Sequence, residues 1–292
     1  MPRLCKRAAM ASYYEGKVVI VTGAASGIGA ALSRALAQHG AAVVVLADID
    51  EAGTGAVAEE ITLGRAGRTE AAALDVRDAA AFTALVERVI GDHGRVDLLF
   101  NNAGVAVGGD IEDLGVEHWD RVIDVNIRGV VHGIRAVYPH MLERGSGHIV
   151  NTASLAGLGP TPLLVPYGMS KHAVVGLSTG LRLEARDRGV RVTVLCPGAI
   201  DTPLLDSQGP EDLAPPRVPF DARRYLRRAV GREHPVEGFV EKALRGVARN
   251  KGLVVEPASA RALSKGLRWS PRISERVLLR VARKERQARE GG

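Results

Sequence analysis

The chain is short of cysteine and of long apolar runs. Its two cysteines, Cys5 and Cys196, lie far apart without a CxxC, which excludes a disulfide framework and a cysteine zinc site and fits a reducing cytosol. No segment approaches the ~18 uninterrupted apolar residues of a membrane-spanning helix, and the basic opening MPRLCKRAAMASYYEGK lacks the apolar run of a signal peptide. The expected location is therefore cytoplasmic, with residues 1–15 as a leader that starts at Met1 or Met10. The histidines show no HExxH-type spacing, so no metal is expected, and His172 is read as a helix-surface or interface residue. Aromatics to stack bases are missing from the basic end of the chain, where Trp269 is almost alone, so nucleic-acid binding is not expected.

What is present suits one large domain, or one domain with an appendage: 46% hydrophobic residues, 25% charged residues and 34 glycines in 292 residues. The net charge of +6 hides an asymmetry, because from Arg217 onward 20 Lys and Arg face 8 Asp and Glu, leaving residues 1–216 net acidic.

Two stretches carry chemistry. Tyr167 and Lys171 are four apart in a helical segment, so one helix face presents a phenol beside an ammonium group. A nearby cation favours the phenolate, and the pairing predicts a Tyr167 pKa well below the free value of about 10. Ser154 follows the apolar run ending at Asn151, which puts its hydroxyl at the carboxyl end of a strand, where open α/β sheets bind ligands. Near the start, the run KVVIVT leads into Gly23-Ala-Ala-Ser-Gly27-Ile-Gly29 and then a helical pattern; strand, glycine turn and helix in that order offer a pyrophosphate both close backbone approach and free amides. A second strand, Ala42–Ala47, ends at Asp48, about twenty residues beyond the turn, where an acid accepts from ribose hydroxyls and repels the 2′-phosphate of NADP. Neither an arginine nor a lysine stands beside it in the sequence.

Strand-like and helix-like segments then alternate, which predicts a doubly wound parallel α/β sheet with helices on both faces. Strands are expected at Thr69–Leu74, Val96–Phe100, Gly147–Thr152 and Val190–Leu195. A helix is expected at Ala79–Ile90, and a long one over Glu117–Leu142 with Asn126 in its middle.

These motifs in order, Thr22-Gly-x-x-x-Gly-x-Gly29, Asp75, Asn101-Asn-Ala-Gly104, Asn126, Ser154, Tyr167-x-x-x-Lys171 and Pro197-Gly198 with Thr202, resemble the short-chain dehydrogenase/reductase family over roughly Gly16 to Glu256. The resemblance implies a Rossmann-fold oxidoreductase that moves a hydride between NAD(H) and an alcohol/ketone pair. In it Tyr167 is the acid/base, Lys171 lowers the Tyr167 pKa and binds the nicotinamide ribose, Ser154 bonds the reacting oxygen, and Asn126 steadies a water in the proton relay. It also implies cofactor contacts from Gly23, Ser26, Gly27, Ile28 and Gly29 in the turn, and from Asp48, Asp75 and Val76. Further contacts are implied from Asn101 backbone, Asn102, Ala103 and Gly104, from Tyr167 and Lys171, and from Pro197, Gly198, Ile200 and Thr202. A homo-oligomer, dimer or tetramer, is implied as well. The rival class, a dinucleotide-binding sensor or scaffold, is disfavoured because all four catalytic positions are filled.

The pattern departs from the family at the end. After Gly252–Pro257, residues 257–292 read as two basic helices broken at Ser270-Pro271, the second with a stripe of Ile273, Val277 and Val281. That stripe is narrow and has no aromatic anchor after Trp269, so docking on protein is expected ahead of contact with a membrane surface. Residues 203–235, proline-rich with Leu204, Leu205, Leu213, Val218, Phe220 and Tyr225, are expected to cover the substrate. Leu155, Leu158, Pro160, Leu163, Leu164 and Val165 predict that this substrate is apolar.

Overall fold

A computed structural model describes residues 12–290 apart from 65, 208, 211 and 270. The leader through position 11, with Met1, Cys5 and Met10, lies outside the described residues, as do Ser270 and the Ile273 side chain.

The first two strands, β1 (Val18–Thr22) and β2 (Val43–Asp48), are apolar along almost their whole length and almost wholly buried, the mark of parallel strands covered on both faces. They join β3 (Arg68–Ala73), β4 (Leu98–Asn101), β5 (Gly147–Thr152), β6 (Val190–Pro197) and β7 (Leu253–Glu256) in one sheet of order β3-β2-β1-β4-β5-β6-β7, parallel throughout. The strand order reverses between β1 and β4, and such a switch point opens a crevice at the carboxyl ends of the strands. This is the doubly wound sheet expected from the sequence.

Alternation along the strands divides the core. On one face Ile20, Val45 and Ile149 pack against α3 (Ala79–His93), α5 (Gly129–Glu143) and α6 (Val165–Ala185). On the other, Val19, Leu46, Phe100 and Leu195 pack against α1 (Gly27–Gln38), α2 (Glu51–Leu63) and α8 (Val236–Ala248). Helix α3 begins at Asp78, whose carboxylate accepts from the amides of Ala80 and Ala81, and stops at left-handed Gly94. Tyr13 and Tyr14, which the sequence places in the leader, are anchored in the domain: the Tyr14 hydroxyl donates to the Leu244 carbonyl at 2.7 Å, and the Tyr13 hydroxyl bonds His148 Nδ1 at 2.8 Å.

The long helix expected over Glu117–Leu142 is present with a local change of pitch. Helix α4 (Val116–Ile123) runs through a π-helical turn at Asp124–Arg128 into α5, and Asn126 lies in that turn. The chain ends in α9 (Ala258–Trp269) and α10 (Pro271–Glu290), preceded by the covering segment with its own helix α7 (Ala222–Ala229). Helix α10 docks on its own chain. Val281 and Ala282 are buried with Leu163, Leu164, Phe220 and Tyr225, and Arg289 pairs with Asp110 at 2.9 Å. Glu285, fully buried, takes Arg224 at 2.6 Å and Arg228 at 2.7 Å. The docked face shares Val281 with the predicted stripe and adds Ala282, while Val277 is 47% exposed. Among the described residues no helix is long and apolar enough to cross a membrane.

Candidate active site

The glycine turn between β1 and α1 is shaped by what a side chain would strike. Gly23 has φ +67°, and a Cβ there would meet Ala103 backbone at 2.7 Å; a Cβ on Gly29 would stand 1.9 Å from the Gly23 carbonyl oxygen. Strand β1, the turn and the Asn102–Gly104 segment are thereby pressed together. The Thr22 hydroxyl accepts from the amides of Asn102 and Ala103, and Asn102 Nδ2 donates to the Thr22 carbonyl at 3.1 Å.

These segments form the floor of a cleft of about 620 Å³ at the switch point. Gly23, Ser26, Gly27, Ile28, Asp48, Asp75, Val76, Asn102, Ala103, Gly104, Tyr167, Lys171, Pro197 and Thr202 all line it, so most of the positions singled out in the sequence converge. Others do not. Gly29 serves the packing of the turn, and Gly198 and Ile200 line a neighbouring chamber instead. Asn101 is 3% exposed, with its amide donating to Asn151 Oδ1 at 2.9 Å beneath the cleft.

The acids at the cleft's adenine-side end, as the resemblance orients it, are already engaged. Asp48 accepts from the amides of Ala25 at 3.0 Å and Asp50 at 3.1 Å. Asp75 is gripped by the Arg77 guanidinium at 2.6–2.9 Å, which holds its carboxyl below the usual carboxylate range. Two cations that the sequence reading missed, Arg77 and Arg121, line the cleft; Arg121 binds both oxygens of Asp212 at 2.6 Å, across 91 positions of chain. No periodic pattern announces that pair.

At the other end Ser154 caps a short turn after β5, its Oγ accepting from the Ala156 amide at 3.1 Å, while α6 brings up Tyr167 and Lys171. Lys171 is 4% exposed, and its ammonium donates to the Thr152 carbonyl at 3.0 Å and lies 5.5 Å from the Tyr167 ring centroid. Asn126 holds the neighbouring backbone: its Oδ1 accepts from the Val105 amide at 2.9 Å, and its Nδ2 donates to the Val105 carbonyl at 2.9 Å and to Ser170 Oγ at 3.0 Å. Gly104 is wedged between the two, since a Cβ there would come within 3.2 Å of Asn126 Oδ1 and 3.3 Å of Lys171 Nζ.

One expectation is corrected here. Burial raises the Tyr167 pKa above its ordinary value of 10.0, with the Ser154 hydroxyl opposing that rise, so the phenol is not driven toward ionisation as Tyr-x-x-x-Lys spacing suggested. Burial also lowers Lys171, to about 8. Both groups sit in a medium that penalises charge, and the ammonium lies over the ring rather than being held at the phenol oxygen.

Beside the cleft is a second cavity, an apolar chamber of about 400 Å³. Leu155, Pro160 and Leu164 line it as predicted, joined by Leu204, Leu205 and Tyr225 from the covering segment. Leu163 is buried beneath, Leu158 packs against the core, and Val165 faces a separate surface groove. Tyr167 borders cleft and chamber alike. His172 is exposed on α6, bonded to the Gly168 carbonyl at 2.8 Å. Among the described residues one group of potential metal ligands gathers, Glu70, Asp92 and His93, far along the sheet edge; Glu70 is paired with Arg68 and Arg88, and Asp92 with Arg88.

Comparison with known proteins accounts for this arrangement. Residues 17–212 match the sequence profile of the short chain dehydrogenase family. An uncharacterized oxidoreductase of Staphylococcus saprophyticus is 42% identical over 190 residues, 65% of this chain and 81% of that protein. Among solved structures, a short chain dehydrogenase/reductase from Burkholderia phymatum in complex with NAD superposes with a TM-score of 0.81 at 32% identity, covering 89% of this chain and 95% of its own. A short-chain dehydrogenase from Sphingobium yanoikuyae in complex with NADPH gives a TM-score of 0.71 at 28% identity, covering 86% and 93%. With a family profile spanning two thirds of its length laid over a seven-stranded Rossmann sheet, this chain belongs to the short-chain dehydrogenase/reductase family of oxidoreductases.

Proposed function

We propose that this protein is an NAD-dependent oxidoreductase that interconverts an apolar secondary alcohol and its ketone, with residues 16–256 as the catalytic unit. The observation that carries the reading is the position of Tyr167, in the wall shared by a glycine-floored cleft edged with charged residues, suited to a dinucleotide, and an apolar chamber suited to a carbon skeleton. The residues fit the cofactor: the turn glycines let β1, the turn and the Asn102–Gly104 segment close into the floor of the cleft, and α1 starts at Gly27 without any side-chain cap on its amides. When bound, the dinucleotide supplies or accepts the hydride.

The chain's own groups do the rest. Ser154 Oγ donates to the substrate oxygen and fixes it beside Tyr167. In reduction the phenol, kept protonated by burial, gives its proton to that oxygen; in oxidation the phenolate takes the proton back. Lys171 is held by Thr152 at the foot of the cleft and stabilises the phenolate as it forms. Asn126 acts as a positioning residue, because its amide braces Val105 and Ser170 around that ammonium. The preference for NAD follows from Asp48, since the two arginines that line the cleft are paired with Asp75 and Asp212 and would give up those pairs to receive a 2′-phosphate.

A panel of secondary alcohols and ketones, followed by nicotinamide absorbance with NAD and with NADP, tests the reading. Turnover with NAD, better for apolar alcohols than for polyols, supports it. Absence of turnover with every alcohol and ketone, or equal efficiency with NADP, contradicts it.

A further inference from the structure

Two parts of the chamber's lining lie beyond the matched family segment: helix α7, with Tyr225 and Leu226, and the pair of C-terminal helices. The profile match ends at residue 212, yet Leu263, Gly266 and Leu267 of α9 and Val277 and Leu278 of α10 line the chamber that also holds Ser154 and Tyr167. We infer that the two C-terminal helices set the length of the substrate's carbon chain, selecting an alcohol or ketone whose hydrocarbon runs from the oxygen at Ser154 and Tyr167 to the apolar wall at Leu263, Leu267 and Leu278. The inference rests on the redox reading for the oxygen's position and goes beyond it in naming the chain.

Three observations make this wall a fixed part of the site. It touches the catalytic side directly: a Cβ on Gly159, five residues after Ser154, would meet Leu267 Cδ1 at 2.6 Å, and a Cβ on Gly198 would meet Ala260 at 2.8 Å. It is held from behind, where Val281 and Ala282 are buried against Tyr225 and Leu164, and where Glu285 is bound by Arg224 and Arg228. Its lining is hydrocarbon from residues that the fold does not fully bury, with Leu263, Leu267 and Leu278 half-buried and Val277 47% exposed. A surface of that kind offers no partner to a second oxygen on the substrate, so polar groups distant from the reacting carbon are rejected, and each methylene that reaches it gains affinity by about fourfold.

The test uses the full-length protein and linear secondary alcohols from butan-2-ol to tetradecan-2-ol, read both by kcat/KM and by calorimetric binding. Wild type should improve by about fourfold per methylene up to a cut-off length and then level off. Leu267→Trp, which adds bulk, should shorten that cut-off, and Leu267→Ala should lengthen it; opposite displacements from two substitutions at one position separate a wall from a folding defect. A cut-off that stays in place in both variants, or moves the same way in both, overturns the inference. Binding separates it from the parent reading: length discrimination in calorimetry without turnover keeps the wall and removes the redox chemistry, whereas turnover without length discrimination removes the wall alone.

Discussion

The Lys171 ammonium is tied to the Thr152 carbonyl by a 3.0 Å bond, and this bond decides where the positive charge of the site lies. It anchors the charge to the end of β5, over the Tyr167 ring, in surroundings that penalise ionisation of both groups.

Stability should therefore carry the signature of a buried lysine. Its folded pKa of about 8 lies below the ordinary 10.5, so the unfolded chain binds an extra proton between those values and stability rises with pH across that window. Relative to Lys171→Met, wild type should gain up to about 3 kcal/mol between pH 8 and 10.5, as measured by denaturant unfolding at stepped pH. A difference between the two proteins that is flat across the window would show that Lys171 is not desolvated.

Tyr167→Phe keeps the ring under the ammonium but has no proton to exchange. Turnover should fall by about 10²- to 10⁴-fold while calorimetric affinity for NAD stays near that of wild type. Retention of most of the turnover would take tyrosine out of the reaction.

Asp48→Asn removes the charge that opposes a 2′-phosphate while keeping an acceptor for one of the two amides, Ala25 or Asp50, that Asp48 takes on separate oxygens. The ratio of kcat/KM for NAD over NADP should drop by about tenfold, equivalent to about 1.4 kcal/mol. An unchanged ratio would locate cofactor choice elsewhere, with Arg77 the first residue to examine.

His148 predicts the acid limb of stability. It is buried between the Tyr13 hydroxyl and Thr193, and burial lowers its pKa from 6.5 to about 3. Below pH 6.5 the unfolded chain takes up a proton that the folded chain refuses, so stability should decline by about 1.4 kcal/mol per pH unit until the folded value is reached. His148→Gln should remove that slope; a slope identical to wild type would assign acid sensitivity to other groups.

Features that depend on near neighbours in the chain were legible in the sequence. The Gly23–Gly29 turn, Asp48 at the end of β2 and the Tyr167–Lys171 pair are local patterns, and apolar runs set the order of strands. What was not legible joins distant positions or depends on burial. Arg121 finds Asp212 and Glu285 finds Arg224 without any spacing rule, and the contribution of Leu267 to a chamber containing Ser154 exists only once α9 crosses the end of the sheet. The direction of the Tyr167 shift was misread for the second reason: a four-residue spacing places a cation nearby but says nothing of how little water reaches the phenol. Asn126 makes three bonds, to Val105 and Ser170, that span 21 and 44 positions of chain and that no spacing in the sequence announces.

The basic tail and acidic body meet as partners within one molecule. Arg289 reaches Asp110 and Asp113, while Arg223 of the covering segment reaches Asp201 at 2.7 Å and also pairs with Asp206. Charges of opposite sign on the tail and the body attract over a range of about 8 Å at physiological ionic strength. The asymmetry thus holds the last helices by charge as well as by hydrocarbon: Arg289 on Asp110 and Asp113 fixes α10 eight residues beyond Val281, which is buried with Tyr225 and Leu164.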